Sequence, residues 1–137
     1  DLRKVFSEYG KTKDYDKALQ KKQETYEKER EAKLEEIKKF QEKLDVSSDK
    51  EKEAGRAELE KKISAIKESD TKVGEELRKE RENKIKEILK DVNTVIEDYA
   101  KKEGITVVFD KRALVYQTAS MDVTEAVLKI LNAGKKQ

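Results

Sequence analysis

Several residue types that carry common enzyme chemistry are missing from this sequence. Its 137 residues include no cysteine and no histidine. Zinc sites of the usual kind, thiol chemistry and Ser-His-Asp catalysis are therefore excluded, and no disulfide can indicate the compartment. None of the five glycines belongs to a Gly-x4-Gly-Lys-Ser/Thr phosphate-binding loop. We predict that the protein is not an enzyme and that it binds no metal or other cofactor.

The sequence also has no proline, while charged residues make up 47% of it and hydrophobic residues 34%. So little apolar material is typical either of disorder or of long helices with narrow apolar seams. The scarcity of helix-breaking residues favours the helices. No apolar run approaches the roughly 20 residues that span a bilayer, and no signal-peptide pattern is present, so we expect a cytoplasmic or an already processed chain.

Positive and negative charges are finely interspersed, with 33 basic and 31 acidic residues and a net charge of +2. Nucleic-acid binding usually requires basic residues that cluster on one face, and no segment of this chain is basic enough to supply such a face. We therefore predict no nucleic-acid partner.

The first part of the chain carries an apolar stripe of helical spacing. From residue 15 to residue 44 the stripe positions recur at intervals near 4-4-3, and four upstream residues continue the same face: Leu2, Val5, Phe6 and Tyr9. Gly10 falls within this pattern. We expect it to be a weak point in the helix rather than an end.

A second helix is indicated downstream. Ser48 with Glu51 three residues later forms a capping box, which predicts a break at residues 45–48 and a helix that begins near Asp49. Its apolar stripe has heptad-like spacing, and Gly104 predicts where it ends.

The two stripes can be matched against each other. If the turn is centred near residue 47, position i faces roughly position 94 − i, and apolar positions then coincide along nearly the whole length. This match predicts an antiparallel helical hairpin, a coiled-coil arm that covers residues 11–103 with its tip near residues 45–50.

The residues after the second helix change character. Residues 105–109 and 113–116 are rich in β-branched and aromatic side chains and predict a short β-hairpin, and Asp122 with Glu125 predicts a cap before a short C-terminal helix. Two strands alone are marginally stable, so we expect oligomerisation to complete the sheet. The predicted fold class is α+β, predominantly α, with residues 1–10 and 104–137 forming a small β/α oligomerisation body. Its candidate contact residues are Ile105, Val107, Phe109, Leu114 and Tyr116.

Apolar residues of the arm are candidates for contact with a client protein. Phe40 and Val46 fall off the strict stripe near the tip, where they either pack locally or touch a client. Tyr26 lies on the first stripe, where ordinary packing is the simpler interpretation, and Ile63 and Ile66 lie on the second. We predict client binding for these five residues.

Three segments carry a resemblance to a known family. Asp1-Leu-Arg-Lys-Val-Phe6 opens the chain, Glu103-Gly-Ile-Thr-Val-Val-Phe-Asp110 follows the second helix together with Ala113-Leu-Val-Tyr116, and Asp122-Val-Thr-Glu125 begins a closing segment that runs to Asn132. They resemble the opening segment, the strand pair and the closing helix of the Skp/OmpH-type periplasmic chaperones. The likeness covers essentially the whole chain.

The resemblance implies a homotrimer in which strands form a central β-barrel body and three helical hairpins surround a cavity. It implies an ATP-independent holdase that captures unfolded outer-membrane β-barrel proteins in the periplasm of a Gram-negative bacterium, with weak association with the membrane or lipopolysaccharide. Family members have a β-strand before the position of Asp1, which this sequence does not include. A second hypothesis stays open, in which the hairpin is a structural coiled-coil spacer or adaptor that binds a folded partner through its tip.

Overall fold

The computed structural model describes residues 1–134, and four α-helices account for most of them. In chain order they are α1 (Leu2–Glu8), α2 (Gly10–Asp45), α3 (Asp49–Glu103) and α4 (Thr124–Ala133). The chain divides into two compact units, unit 1 with Asp1–Ala18 and Arg81–Gln137 and unit 2 with Leu19–Glu80. The division into a body and an arm at residues 10 and 104 stays a prediction.

Local capping signals set both ends of α3. The Glu51 carboxylate accepts hydrogen bonds from the Ser48 hydroxyl at 2.7 Å and from the Ser48 N–H at 3.0 Å, so the predicted capping box is confirmed and the helix begins at Asp49. At the other end, Gly104 has a φ of +69°, the left-handed conformation that a glycine adopts readily after a helix. The predicted end near Gly104 is also confirmed.

The helix at the start of the chain begins before Gly10, as predicted, but it is not continuous. Tyr9 leaves the helical region with φ −64° and ψ 126°, and α2 starts at the next residue. The break lets α1 pack against α4 within unit 1.

The predicted strand pair does not form. Residues 1–134 contain no β-strand, so the predicted α+β fold class is wrong and the described chain is all-α. The predicted second strand, 113–116, begins inside a 3₁₀ turn at Lys111–Ala113. The Asp110 carboxylate accepts the Arg112 N–H at 2.9 Å and binds its guanidinium group at 3.1 Å, which closes this turn. Because two short strands are only marginally stable, such local bonds decide the conformation here.

Within unit 2, α2 and α3 pair in an antiparallel arrangement, but the predicted register is wrong. Arg30 binds Asp70 at 2.8 Å and the Leu44 side chain lies against Gly55, whereas the register 94 − i would set them opposite residues 64 and 50. Contacts between the two helices in unit 2 are displaced from that register in one direction, by two residues for Tyr26 with Asp70, five for Leu44 with Gly55 and eight for Lys22 with Glu80. The connection at 46–48 must cross the roughly 8–10 Å between the axes of paired helices. Since Leu44 in the last turn of α2 lies against Gly55, the first turn of α3 has no turn of α2 opposite it.

The apolar core lies in unit 1, where α1, α3 and α4 meet. Ile88, Val92 and Val127 are at most 1% exposed. They form one cluster with four further buried residues: Val5, Tyr9, Leu128 and Leu131. The predicted short amphipathic C-terminal helix is thereby confirmed as α4, whose apolar face closes this core.

Unit 2 has little apolar interior. Among residues 19–80, Ile66 is the buried apolar residue, at 7% exposure. Polar contacts join the two helices instead, including Tyr26 Oη to Asp70 Oδ1 at 2.6 Å and Lys22 Nζ to Glu80 Oε2 at 2.7 Å.

Candidate binding surfaces

The segment between α3 and α4, residues 105–121, exposes large apolar side chains, and we call it the apolar segment. Val115 is fully exposed, and Val107, Phe109, Tyr116 and Met121 are each at least 60% exposed. Several large exposed apolar side chains within one short segment are uncommon in monomeric proteins, and large exposed apolar patches mark interaction surfaces. The segment is therefore a candidate binding surface.

An open groove of about 670 Å³ runs beside the apolar segment in unit 1. Residues of α1, α3, the apolar segment and α4 line it. Its apolar lining residues are Leu2, Val5, Ile96, Ile105, Val107, Val108, Phe109, Leu114, Tyr116, Met121, Val123 and Val127. A concave surface of this composition can hold apolar side chains.

The groove brings together all five residues that the sequence predicted as contacts of an oligomerisation body. The groove is lined by Ile105, Val107, Phe109, Leu114 and Tyr116, which lie in chain without regular secondary structure rather than in strands. Ile105 is half-buried, and the other four are exposed. Their part in oligomerisation stays a prediction.

Two carboxylates that line the groove, those of Asp110 and Asp122, accept hydrogen bonds from nearby residues. The Arg112 side chain holds the pKa of Asp110 down at about 2. The pKa of Asp122 is also lowered to about 2, because the Thr124 hydroxyl and N–H donate to it at 2.5 and 3.0 Å. Both groups thus stabilise turns and remain charged at neutral pH.

Three of the five predicted client-binding residues have accessible side chains near the end of the hairpin in unit 2. Val46 lies in the turn and is 86% exposed, and Ile63 is 39% exposed. Phe40 is half-buried, and Lys62 Nζ lies 5.7 Å from the centre of its ring, a cation–π contact.

The other two predicted client-binding residues contribute to the pairing of α2 and α3. The Tyr26 hydroxyl donates to Asp70, which raises the pKa of Tyr26, and the bond from Arg30 is the main cause of the lowered pKa of Asp70. Ile66 is buried. Client binding by Tyr26 and Ile66 remains a prediction, and the structure gives both residues a role within the chain.

Some exposed residues were missed by the sequence reasoning. Met121 belongs to no predicted element, and Val115 was placed in a strand without being singled out. Leu34, 42% exposed, lies within residues 15–44, over which the sequence predicted an apolar stripe of α2. The β-branched and aromatic run after Gly104 was the available signal for Val115; no comparable signal marked Met121.

An ionic cluster joins α2 and α3 in unit 1. Lys11 Nζ lies 2.7 Å from both Glu87 and Asp91, and Lys84 binds Glu87 at 2.8 Å. The bond from Lys11 is the main cause of the lowered pKa of Glu87, about 2.

Two other kinds of site were sought among residues 1–134. No three or more Asp, Glu, His or Cys side chains there are placed so that they could hold a metal ion together. No helix there is both long enough and apolar enough to cross a membrane.

Known proteins share this fold. A solved structure from Caulobacter crescentus CB15, described as a candidate outer membrane chaperone (OmpH-like), has the same fold, with a TM-score of 0.82. The match has 20% sequence identity and covers 90% of this chain and 75% of that one. No curated protein sequence gives a significant match. Residues 1–131 match the family described as outer membrane protein (OmpH-like), which confirms the resemblance seen in the sequence, and the chain belongs to this OmpH-like family.

Proposed function

We propose that this protein is an ATP-independent holdase chaperone that binds unfolded outer-membrane β-barrel proteins in the periplasm of a Gram-negative bacterium. Its membership of the OmpH-like family is the observation that carries the proposal. The description of the Caulobacter crescentus structure as a candidate outer membrane chaperone points the same way.

The surface of unit 2 supports client binding by many weak contacts. Three apolar residues are exposed at different places in unit 2: Leu34 on α2, Val46 in the turn and Ile63 on α3. Each such side chain contributes little alone, but several contacts with one flexible client add up to useful affinity while each remains readily broken. A holdase needs this combination, because it must both retain and release its client.

The apolar segment of unit 1 supports assembly into a homotrimer. A single chain leaves Val107, Phe109, Val115 and Tyr116 in water. Their removal from water between copies would stabilise an oligomer by about 25 cal/mol for each Å² of apolar surface buried. Weak association with the membrane or lipopolysaccharide is a separate prediction, to which a net charge of +2 lends little support.

The proposal is tested by diluting a urea-unfolded outer-membrane β-barrel protein into buffer with this protein and without nucleotide. We expect light scattering from client aggregates to fall to near background at about one trimer per client. Multi-angle light scattering on the chaperone alone should give three times the chain mass. Full aggregation of the client at a severalfold excess of chaperone would refute the holdase activity, and a monomer mass would refute the trimer.

Matched variants separate the two surfaces. Val46→Ser with Ile63→Ser should reduce client protection severalfold while the trimer mass is unchanged. Val107→Ser with Tyr116→Ser should instead reduce the mass measured by light scattering from that of a trimer towards that of a single chain. Ile130→Ser is the control, since Ile130 is 44% exposed on α4 and does not line the groove. Unchanged client protection by the double variant of unit 2 would contradict the assigned client surface.

The alternative function is a structural spacer or adaptor that binds a folded partner through the tip. The 86% exposure of Val46 in the turn favours it. In that case Val46→Ser alone abolishes one specific interaction, and the unmodified protein fails to protect several unrelated unfolded clients. Protection of such clients counts against the adaptor.

A further inference from the structure

The break between α1 and α2 has no sufficient cause in the local sequence. The chain has no proline, and residues 2–8 include several good helix formers. A glycine such as Gly10 costs a helix interior about 1 kcal/mol relative to alanine, which does not by itself end a helix. Nevertheless the backbone leaves the helical region at Tyr9, which is the one non-helical residue between residues 2 and 45. The cause must lie elsewhere in the fold.

One side chain of α4 binds two of the backbone groups whose helical hydrogen bonds the break removes. In an uninterrupted helix, the Gly10 N–H would donate to the Phe6 carbonyl, and the Glu8 carbonyl would accept from the Thr12 N–H. Instead, Asn132 Oδ1 accepts from the Gly10 N–H at 2.7 Å, and Asn132 Nδ2 donates to the Glu8 carbonyl at 3.4 Å. A single amide thus caps the end of α1 and the beginning of α2.

The position of Asn132 is fixed by the residue before it. Leu131 is 4% exposed and belongs to the same core cluster as Val5 and Tyr9. A separate contact, Lys4 Nζ to Glu125 at 2.5 Å, also joins α1 to α4. The core therefore presents the Asn132 amide to the break.

The bend has a consequence for the apolar groove. Leu2 and Val5 of α1 line the groove together with Val127 of α4. We call Leu2 and Val5 the α1 wall of the groove. If α1 continued straight into α2, these two residues would move away from the groove, and Val127 would lose its packing against Val5. The conformation at Tyr9 therefore determines whether the groove has its α1 wall.

We propose that Asn132 is a latch that holds a hinge at Tyr9 in its bent form and so closes the α1 wall of the apolar groove. The competing form is one helix that runs from Leu2 into α2, detached from α4. This device concerns unit 1 alone and does not depend on the holdase activity.

The first test compares Asn132→Ala with the unmodified protein by amide hydrogen exchange. Loss of a cap corresponds to an opening equilibrium about fivefold or more higher, so the Gly10 amide should exchange faster by that factor. The amides of Ile88 and Val92, in the core of unit 1, should keep their rates within twofold. An unchanged Gly10 rate overturns the latch.

The second test measures the hinge directly. Because the chain has no cysteine, Arg3→Cys and Lys129→Cys give two unique positions for spin labels, on α1 and α4. In the Asn132→Ala background we expect the distance distribution to gain a longer component. A distribution identical to that of the protein with Asn132 overturns the hinge.

Two further variants exclude a general loss of structure. Asn132→Asp keeps an acceptor for the Gly10 N–H, so its Gly10 exchange should stay within twofold of the original. Asn83→Ala removes an exposed asparagine from α3 and should change neither readout. If Asn132→Ala unfolds α4 altogether, seen as fast exchange at Leu128, Asn132→Asp decides. A protected Gly10 in that variant supports the latch, and exposure as in Asn132→Ala overturns it.

Discussion

Two glycines of α3 allow the same substitution to be compared in opposite surroundings within unit 2. A Cβ at Gly74 would have nothing within 4 Å, whereas a Cβ at Gly55 would collide with the Leu44 side chain, whose Cγ lies 3.1 Å from that position. Alanine in place of glycine inside a helix stabilises by about 0.5–1 kcal/mol where space allows. We expect Gly74→Ala to raise the free energy of unfolding by this amount.

At Gly55 the same gain is opposed by the clash. Leu44 lies in the last turn of α2 and is half-buried, so its side chain can rotate away. An off-rotamer torsion costs about 0.5–1.5 kcal/mol, and overpacking as a whole costs about 1–3 kcal/mol. We therefore expect Gly55→Ala to be less stable than Gly74→Ala by about 1–2 kcal/mol, with no net gain over the unmodified protein.

Urea unfolding followed by circular dichroism measures both variants. Adding Leu44→Ala gives a double-mutant cycle in which the obstacle is absent, and there Gly55→Ala should recover the gain seen at Gly74. Equal effects of the two glycine substitutions in the presence of Leu44 would refute the reasoning. So would an effect at Gly55 that does not depend on Leu44.

Three further predictions concern the contacts within each unit. Ile88→Ala should lower the free energy of unfolding by about 2–5 kcal/mol, while Ile130→Ala at an exposed site should change it by about 0.5 kcal/mol or less; equal losses in urea unfolding would contradict the core assignment. Asp70→Asn weakens the polar contacts between α2 and α3, so amide exchange should accelerate in unit 2 and not in unit 1, and uniform acceleration would count against this. Because the folded pKa of Glu87 is lowered to about 2, below its ordinary value of 4.5, its stabilising bond to Lys11 is fully present above pH 4.5 and is lost as the pH falls towards 2. The difference in urea midpoint between Glu87→Gln and the unmodified protein should accordingly vanish over that range, and a difference that persists at pH 2 would show another cause.

The ends of α3 could be predicted from the sequence because their signals are local. Ser48 and Glu51 lie within one helical turn, and their hydrogen bonds satisfy backbone groups of that same turn. Gly104 likewise acts through its own φ angle. The five residues assigned to an oligomerisation body line one groove, since they are close in sequence and share an apolar character, whatever conformation the chain adopts. Their part in oligomerisation stays a prediction.

The strand pair and the register failed for a different reason. The β-branched residues at 105–109 favour extended chain, but a stable sheet also needs neighbouring strands. The bonds of Asp110 with Arg112 need no second segment, because they join residues two positions apart. The register depends on where the chain crosses between α2 and α3, which the apolar stripes constrain only weakly. Polar pairs such as Arg30 with Asp70 then fix it, and a count of apolar matches ignores them.

The break at Tyr9 shows most clearly what a local analysis omits. The asparagine that caps it lies 122 positions away in sequence, so no window around Gly10 contains the cause. The same asparagine can be recognised as a cap only when Leu131 is known to be buried beside Val5, because that packing brings the two segments together. The path of α1, and with it one wall of the apolar groove, is thus determined by the tertiary structure of unit 1 and not by the helix propensity of residues 2–10.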